Sequence, residues 1–208
     1  MPSKEGYALA SLNGGGNYSM LALEEERVHP NPSNPVVIKM WKLQGTEPLV
    51  SIDQQYKVPC TSESIYIDLL MGNIVSSGGD VKLTVNRSPG VISGRRRLDR
   101  SLQIEAVDGG LMDSRGQERI MYAAPDGGYQ PSMTFTFSTN APFKWFGGFK
   151  HGFFLSSRNG QVYSKVGLSF DINDAPDGLM SATFRGIANS NHSRNWEGDP
   201  NTMNAVAR

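Results

Sequence analysis

The sequence VKLTVN at residues 81–86 alternates apolar and polar side chains without a break. Successive side chains of an extended chain point to opposite faces. This stretch would therefore present three aliphatic side chains on one face and three polar ones on the other. Such a period of two predicts an antiparallel strand with one face in a core and the other in water.

The same alternation recurs on both sides of this stretch, separated by the turn-forming residues Gly, Pro, Asn and Asp. The predicted strands lie within residues 36–43, 49–58, 65–69, 81–86, 102–107, 133–138, 161–172 and 179–188. A total of about ten strands at this spacing is typical of a sandwich or barrel. The sequence therefore predicts an all-β fold, an antiparallel β-sandwich of jelly-roll-like type.

The chain is expected to form one domain over residues 1–208. Within it, residues 1–30 are predicted to form an N-terminal hairpin or short helix, and residues 190–208 a polar C-terminal loop or tail. Lys and Arg number 20 and Asp and Glu also 20, so the net charge is zero and no overall field favours nucleic acid. The arginines at 95–97 have no interleaved aromatic residues, which favours a solvated loop. The sequence contains no apolar run of about 18 residues, so no transmembrane segment is predicted.

No motif in the sequence names a reaction. The G-x-S-x-G elbow and the P-loop are absent, so no catalytic residue is assigned. Asp68, Glu105 and Asp171 lie on predicted strands, where a jelly-roll glycosidase or lyase would place its carboxylates. A polysaccharide-acting hydrolase or lyase is therefore kept as an alternative, although the interpretation leans away from an enzyme.

No cofactor or metal is predicted. H-E-x-x-H and C-x-x-C are absent, and each of the three histidines is interpreted as a surface or packing residue. The stretch at 171–178 places Asp171, Asn173, Asp174 and Asp177 before a glycine, which superficially resembles a calcium loop. The same residue types are ordinary in a hairpin turn, so a turn without metal is preferred and a structural calcium is the alternative.

Aromatic residues are concentrated in PFKWFGGFKHGFF, residues 142–154, which holds six of the nineteen Phe, Tyr and Trp residues. That much apolar area is either buried or an exposed contact surface. The preferred interpretation places the phenylalanines and Trp145 between two sheets.

Other aromatic residues lie near turns, where they would stay accessible to a ligand. Sugar rings stack on Trp and Tyr, while Asn and Arg side chains bond sugar hydroxyls. The stretch at 189–197 combines these residue types, although docking of Trp196 on the domain is the alternative. The predicted ligand-binding residues are Trp41, Tyr129, Trp145, Arg194, Asn195 and Trp196.

The leading hypothesis is a non-catalytic binding module of an exported or surface protein, with carbohydrate as the ligand. Its expected location is extracellular or in the cell envelope, although the chain begins without the apolar segment of a signal peptide. The alternative from another class is a structural or assembly protein, such as a virion, appendage or envelope component. Its aromatic patch would then be an interface with a protein partner.

Overall fold

A computed structural model describes residues 4–9, 33, 40–87, 99–115, 122–138, 148–171 and 179–198. These residues form twelve β-strands. The strands are β1 (Tyr7–Leu9), β2 (Met40–Lys42), β3 (Leu49–Pro59), β4 (Ser64–Asp68), β5 (Asn73–Val75), β6 (Val81–Arg87), β7 (Arg100–Ala106), β8 (Gly110–Asp113), β9 (Ser132–Phe137), β10 (Phe149–Ser157), β11 (Val162–Asp171) and β12 (Leu179–Asn189). The described part of the chain holds no apolar helix of membrane-spanning length.

Ten of these strands form two five-stranded antiparallel sheets. The first sheet has the order β3-β12-β11-β10-β8 and the second the order β5-β4-β6-β7-β9, while β1 and β2 pair separately. The prediction of an all-β antiparallel sandwich with about ten strands is confirmed. Of the segment predicted as an N-terminal hairpin or short helix, only residues 4–9 are described.

The alternating stretch at 81–86 lies in β6, near the middle of the second sheet. Val81, Leu83 and Val85 are fully buried in the core between the sheets. The polar residues between them are partly exposed on the outer side, where Lys82 bonds Glu105 of β7 at 3.0 Å. The alternation therefore has the orientation that the sequence predicts.

The first sheet contributes most of the aromatic side chains in this core. Phe153, Phe170 and Phe184 are each 2 % exposed or less, and burial of one such side chain stabilises the fold by about 1.5–3 kcal/mol. Phe149 packs against the same core, so the predicted position between the sheets is found for Phe149 and Phe153, while Phe143, Trp145 and Phe146 lie outside the described residues. Phe154 lies on the opposite side of β10, in a second, smaller apolar cluster.

A buried carboxylate connects the two sheets at one end of the sandwich. Asp80, at the start of β6, is fully buried, and its oxygens accept bonds from Ser157 Oγ at 2.7 Å and Leu69 N at 2.9 Å. The Arg158 guanidinium donates to both oxygens at 2.9 and 3.0 Å and also pairs with Asp68 at 2.9 Å. Because Ser157 and Arg158 lie at the β10–β11 turn, this network joins the two sheets.

The backbone before Asp80 is shaped for this contact. Gly79 has φ = 78°, and a Cβ there would lie 2.6 Å from the carbonyl oxygen of Ile67. Only glycine fits this approach without displacing the β4 backbone. Asp80 N in turn donates to the same Ile67 oxygen at 2.8 Å.

Replacing Asp80 with alanine should strongly destabilise the protein. The change leaves the partly exposed Arg158 with Asp68 alone and removes the acceptor of Leu69 N and Ser157 Oγ. Each buried donor left unsatisfied costs about 1–3 kcal/mol. Urea unfolding followed by tryptophan fluorescence measures the loss. The matched control is Asp53→Ala, which removes an exposed pair with Arg185 and should cost about 1 kcal/mol or less. Equal losses in the two variants would contradict the role of the Asp80 network.

Candidate functional site

Five of the six predicted ligand-binding residues meet on one side of the molecule, over the outer face of the first sheet. They belong to three segments, residues 40–47, 122–130 and 190–198, which we call the cover layer. Backbone bonds connect the segments: Ala124 N donates to Arg194 O at 2.7 Å, and Glu47 N to Glu197 O at 2.6 Å. Trp145 lies outside the described residues.

Trp196 anchors the cover layer to the sheet. Its ring stacks on Phe154 with centroids 5.6 Å apart, and only 4 % of the residue is exposed. Its indole N–H donates to Tyr163 O at 3.3 Å. Trp196 is therefore docked on the domain, the alternative that the sequence left open, and these contacts occupy its ring.

A buried carboxylate holds the cover layer together. Glu197 is 6 % exposed and accepts bonds from Trp41 Nε1 at 2.5 Å, Gln44 N at 2.9 Å and Gly45 N at 3.0 Å. Burial raises the pKa of Glu197, but the bonds from Trp41, Gln44 and Gly45 outweigh it, so the pKa lies below its usual value. Asn195 donates to Gly45 O at 2.7 Å and accepts from Glu197 N at 2.9 Å. Asn195 thus has internal partners.

The remaining residues of the prediction are more accessible. Trp41 is partly exposed and stacks on Tyr122, with centroids 6.2 Å apart and rings 19° from parallel. Tyr129 packs against the Phe154–Trp196 cluster, and burial raises the pKa of its hydroxyl to about 12. Arg194 pairs with the exposed Asp126. That these residues contact a ligand stays a prediction.

The Glu197→Gln variant should be less stable, with a changed response to acid. At pH 7 the new amide would face backbone donors, which costs about 1–3 kcal/mol. Because the folded pKa of Glu197 is lowered, its stabilisation is present above the unfolded value near 4.5 and is lost as pH falls through the folded value. The free energies of unfolding of wild type and variant should therefore differ at pH 7 and become similar in acid. The control is the exposed Glu63→Gln, and a constant gap across this range would refute the assignment.

The other half of the outer face of the first sheet carries a shallow depression of about 320 Å³. In register across four strands lie Lys150, Ser169, Thr183 and Gln55. We call the outward polar residues around this depression the shelf. The shelf consists of Gln55, Lys150, Ser169, Asp171, Ser181 and Thr183.

The polar outer face of the second sheet contains cross-strand pairs, as in Ser64–Thr84 at 2.8 Å and Lys82–Glu105 at 3.0 Å, although Thr134 and Thr136 make no such bond among the described residues. On the shelf Gln55 donates to Ser181 Oγ at 2.6 Å. Within the described part of the chain, however, no hydrogen bond engages the side chains of Lys150, Ser169 or Thr183. These side chains remain available to a ligand.

The carboxylates proposed for catalysis have separate surroundings. Asp68 pairs with Arg158 at 2.9 Å, and Glu105 pairs with Lys82 at 3.0 Å. Asp171 lines the shelf, on the other sheet. The structure does not gather the three into one site.

Histidine and carboxylate side chains are also the groups that could bind a metal ion. No three His, Cys, Asp or Glu side chains cluster as metal ligands within the described residues. The turn residues 172–178 lie outside the described residues, so the structural calcium stays an alternative prediction. His151 is buried and stacks on Phe149, which fits its interpretation as a packing residue.

Comparison of the chain with protein-family models, with curated proteins and with solved structures finds no match.

Proposed function

We propose that the protein is a non-catalytic glycan-binding module whose contact surface is the shelf. The observation that carries the proposal is the depression of about 320 Å³ bordered by uncommitted hydroxyl and ammonium groups. Sugars present many hydroxyls, each of which gains most from a donor or acceptor already fixed in place. An extracellular or envelope location, where glycans are abundant, is part of the proposal.

The position of the shelf on the sheet supports binding without rearrangement. β11 and β12 are paired on both sides along their length, so their outward side chains start from a rigid backbone. Ser169, Ser181 and Thr183 are short and lose little rotamer entropy when a ligand orders them. Both features reduce the cost of association.

The assembly-protein alternative has less support in the described residues. Large apolar side chains that are clearly exposed there are Leu43, Met71 and Ile74, at 44, 74 and 49 %. Met71 and Ile74 lie at the β4–β5 hairpin, whereas Leu43 lies in the cover layer. Single exposed apolar side chains are normal in monomeric proteins and do not make an interface.

Replacing Thr183 or Ser169 with alanine should weaken glycan binding roughly two- to tenfold, since one hydrogen bond contributes about 0.5–1.5 kcal/mol. Isothermal titration calorimetry against a panel of soluble neutral and acidic polysaccharides measures the affinity. The matched control is Thr134→Ala, an exposed threonine on β9 in the second sheet.

Saturable binding that is weakened by Thr183→Ala and left unchanged by Thr134→Ala would support the shelf. Absence of binding across the whole panel would overturn the proposed function. Equal losses in both threonine variants would place the site elsewhere. Trp41→Phe and Trp145→Phe, tested alongside, would show whether the predicted aromatic residues contribute.

A further inference from the structure

A notch lies beside the shelf, in the neighbouring row of the same sheet face. Gly167 of β11 is in register with Gly152 on one side and Arg185 on the other. An ideal Cβ on Gly167 would meet only the Arg185 carbonyl oxygen, at 3.8 Å. The space above Gly167 is therefore open, and we call it the Gly167 notch.

Lys165 lies two residues before Gly167 on β11 and therefore faces the same side of the sheet. Its neighbours in register are Phe154 and Ile187, both members of the apolar cluster under Trp196. Burial lowers the pKa of Lys165, and within the described residues no carboxylate pairs with it. Among the described residues, the partly buried Lys165 thus has no counter-charge, a costly arrangement unless a partner supplies one.

Arg185, the neighbour of Gly167 in register on β12, carries a second cation. Its Nε donates at 2.9 Å to Asp53 of β3, on the other side of β12 from Gly167, and its side chain is 71 % exposed. Only its Nε is engaged in that bond, so further guanidinium N–H groups remain available. Ser169 of the shelf follows Gly167 by two residues and faces the same side.

We infer that the glycan is acidic, and that a hexuronate carboxylate binds in the Gly167 notch between Lys165 and Arg185. The inference rests on the proposed function. The carboxylate supplies the missing counter-charge to Lys165, and charge-assisted hydrogen bonds are about twice as strong as neutral ones. The hydroxyls of the sugar and its neighbours contact the shelf. A side chain at position 167 would fill the space that the carboxylate needs.

The first experiment compares one polysaccharide in two chemical states. Oligogalacturonate and its carboxyl-reduced, neutral counterpart are titrated into the full chain by calorimetry at low and moderate salt. The acidic form should bind at least tenfold more tightly, and its affinity should fall with added salt. Poly-glutamate, a carboxylated polymer without sugar hydroxyls, should bind much more weakly than oligogalacturonate.

The second experiment uses Lys165→Met and Gly167→Thr. Lys165→Met keeps the aliphatic stem and removes the charge, so acidic binding should fall at least tenfold while the melting temperature stays equal or rises. Gly167→Thr fills the notch with a residue suited to a strand and should abolish acidic binding without loss of stability. Lys82→Met, which removes one charge from the opposite sheet, is the control.

The outcomes separate this inference from the function on which it rests. Equal binding of the acidic and reduced polymers, with Lys165→Met unaffected, would overturn the acidic site but retain a glycan-binding shelf. No binding of either polymer or of the neutral panel would overturn both. A loss in Lys82→Met equal to that in Lys165→Met, or poly-glutamate binding as tight as oligogalacturonate, would also overturn the inference.

Discussion

The contacts of the fully buried Asp80 carboxylate, among them its ion pair with the partly exposed Arg158, join the two sheets on which the rest of the structure depends. A carboxylate that is fully buried must find several donors, and those available here come from both sheets: Leu69 N from one, Ser157 and Arg158 from the other. This requirement fixes the β10–β11 turn against the start of β6. Strands β10 and β11, which carry part of the shelf and the Gly167 notch, are therefore held at one end by this polar network. Pairing with neighbouring strands holds them along their edges.

The outer face of the first sheet has an apolar half and a polar half, because the outward side chains of its strands differ. Where β10 directs Phe154 outward, the face is apolar and the cover layer buries it beneath Trp196. Two residues earlier the outward position is Gly152, and β11 opposite offers Gly167 and then Ser169. Such small or polar positions gain little from burial, so no apolar cover is needed. The boundary between the halves runs along Lys165, which explains why that lysine is partly buried.

The alternating runs were enough to predict the sandwich, because a period of two shows which side chains of each strand face the core. Short strands such as β5 and β8 carry too few residues to show a period. The stretch at 189–197 was predicted to bind a ligand, yet Asn195 and Glu197 bond partners about 150 residues away, such as Gly45. Non-local bonds of this kind leave no local pattern. The outward positions of β11 were visible in the alternation, but the missing hydrogen-bond partners of its polar side chains were not, because such partners come from other strands.

Among the described residues Lys165 has no ion-pair partner, so ligand binding and stability would both depend on its ammonium group. Desolvation disfavours its charged form in the free protein, so the fold carries an unfavourable term that a methionine at this position would remove. A carboxylate in the Gly167 notch would remove the same term by pairing instead. The free energy of binding of the carboxylate would then include the desolvation cost of the Lys165 ammonium group, which pairing removes. Such a site would lower the stability of the free protein slightly and favour anionic ligands. Departures from the rule that buried charges are paired are expected at functional sites.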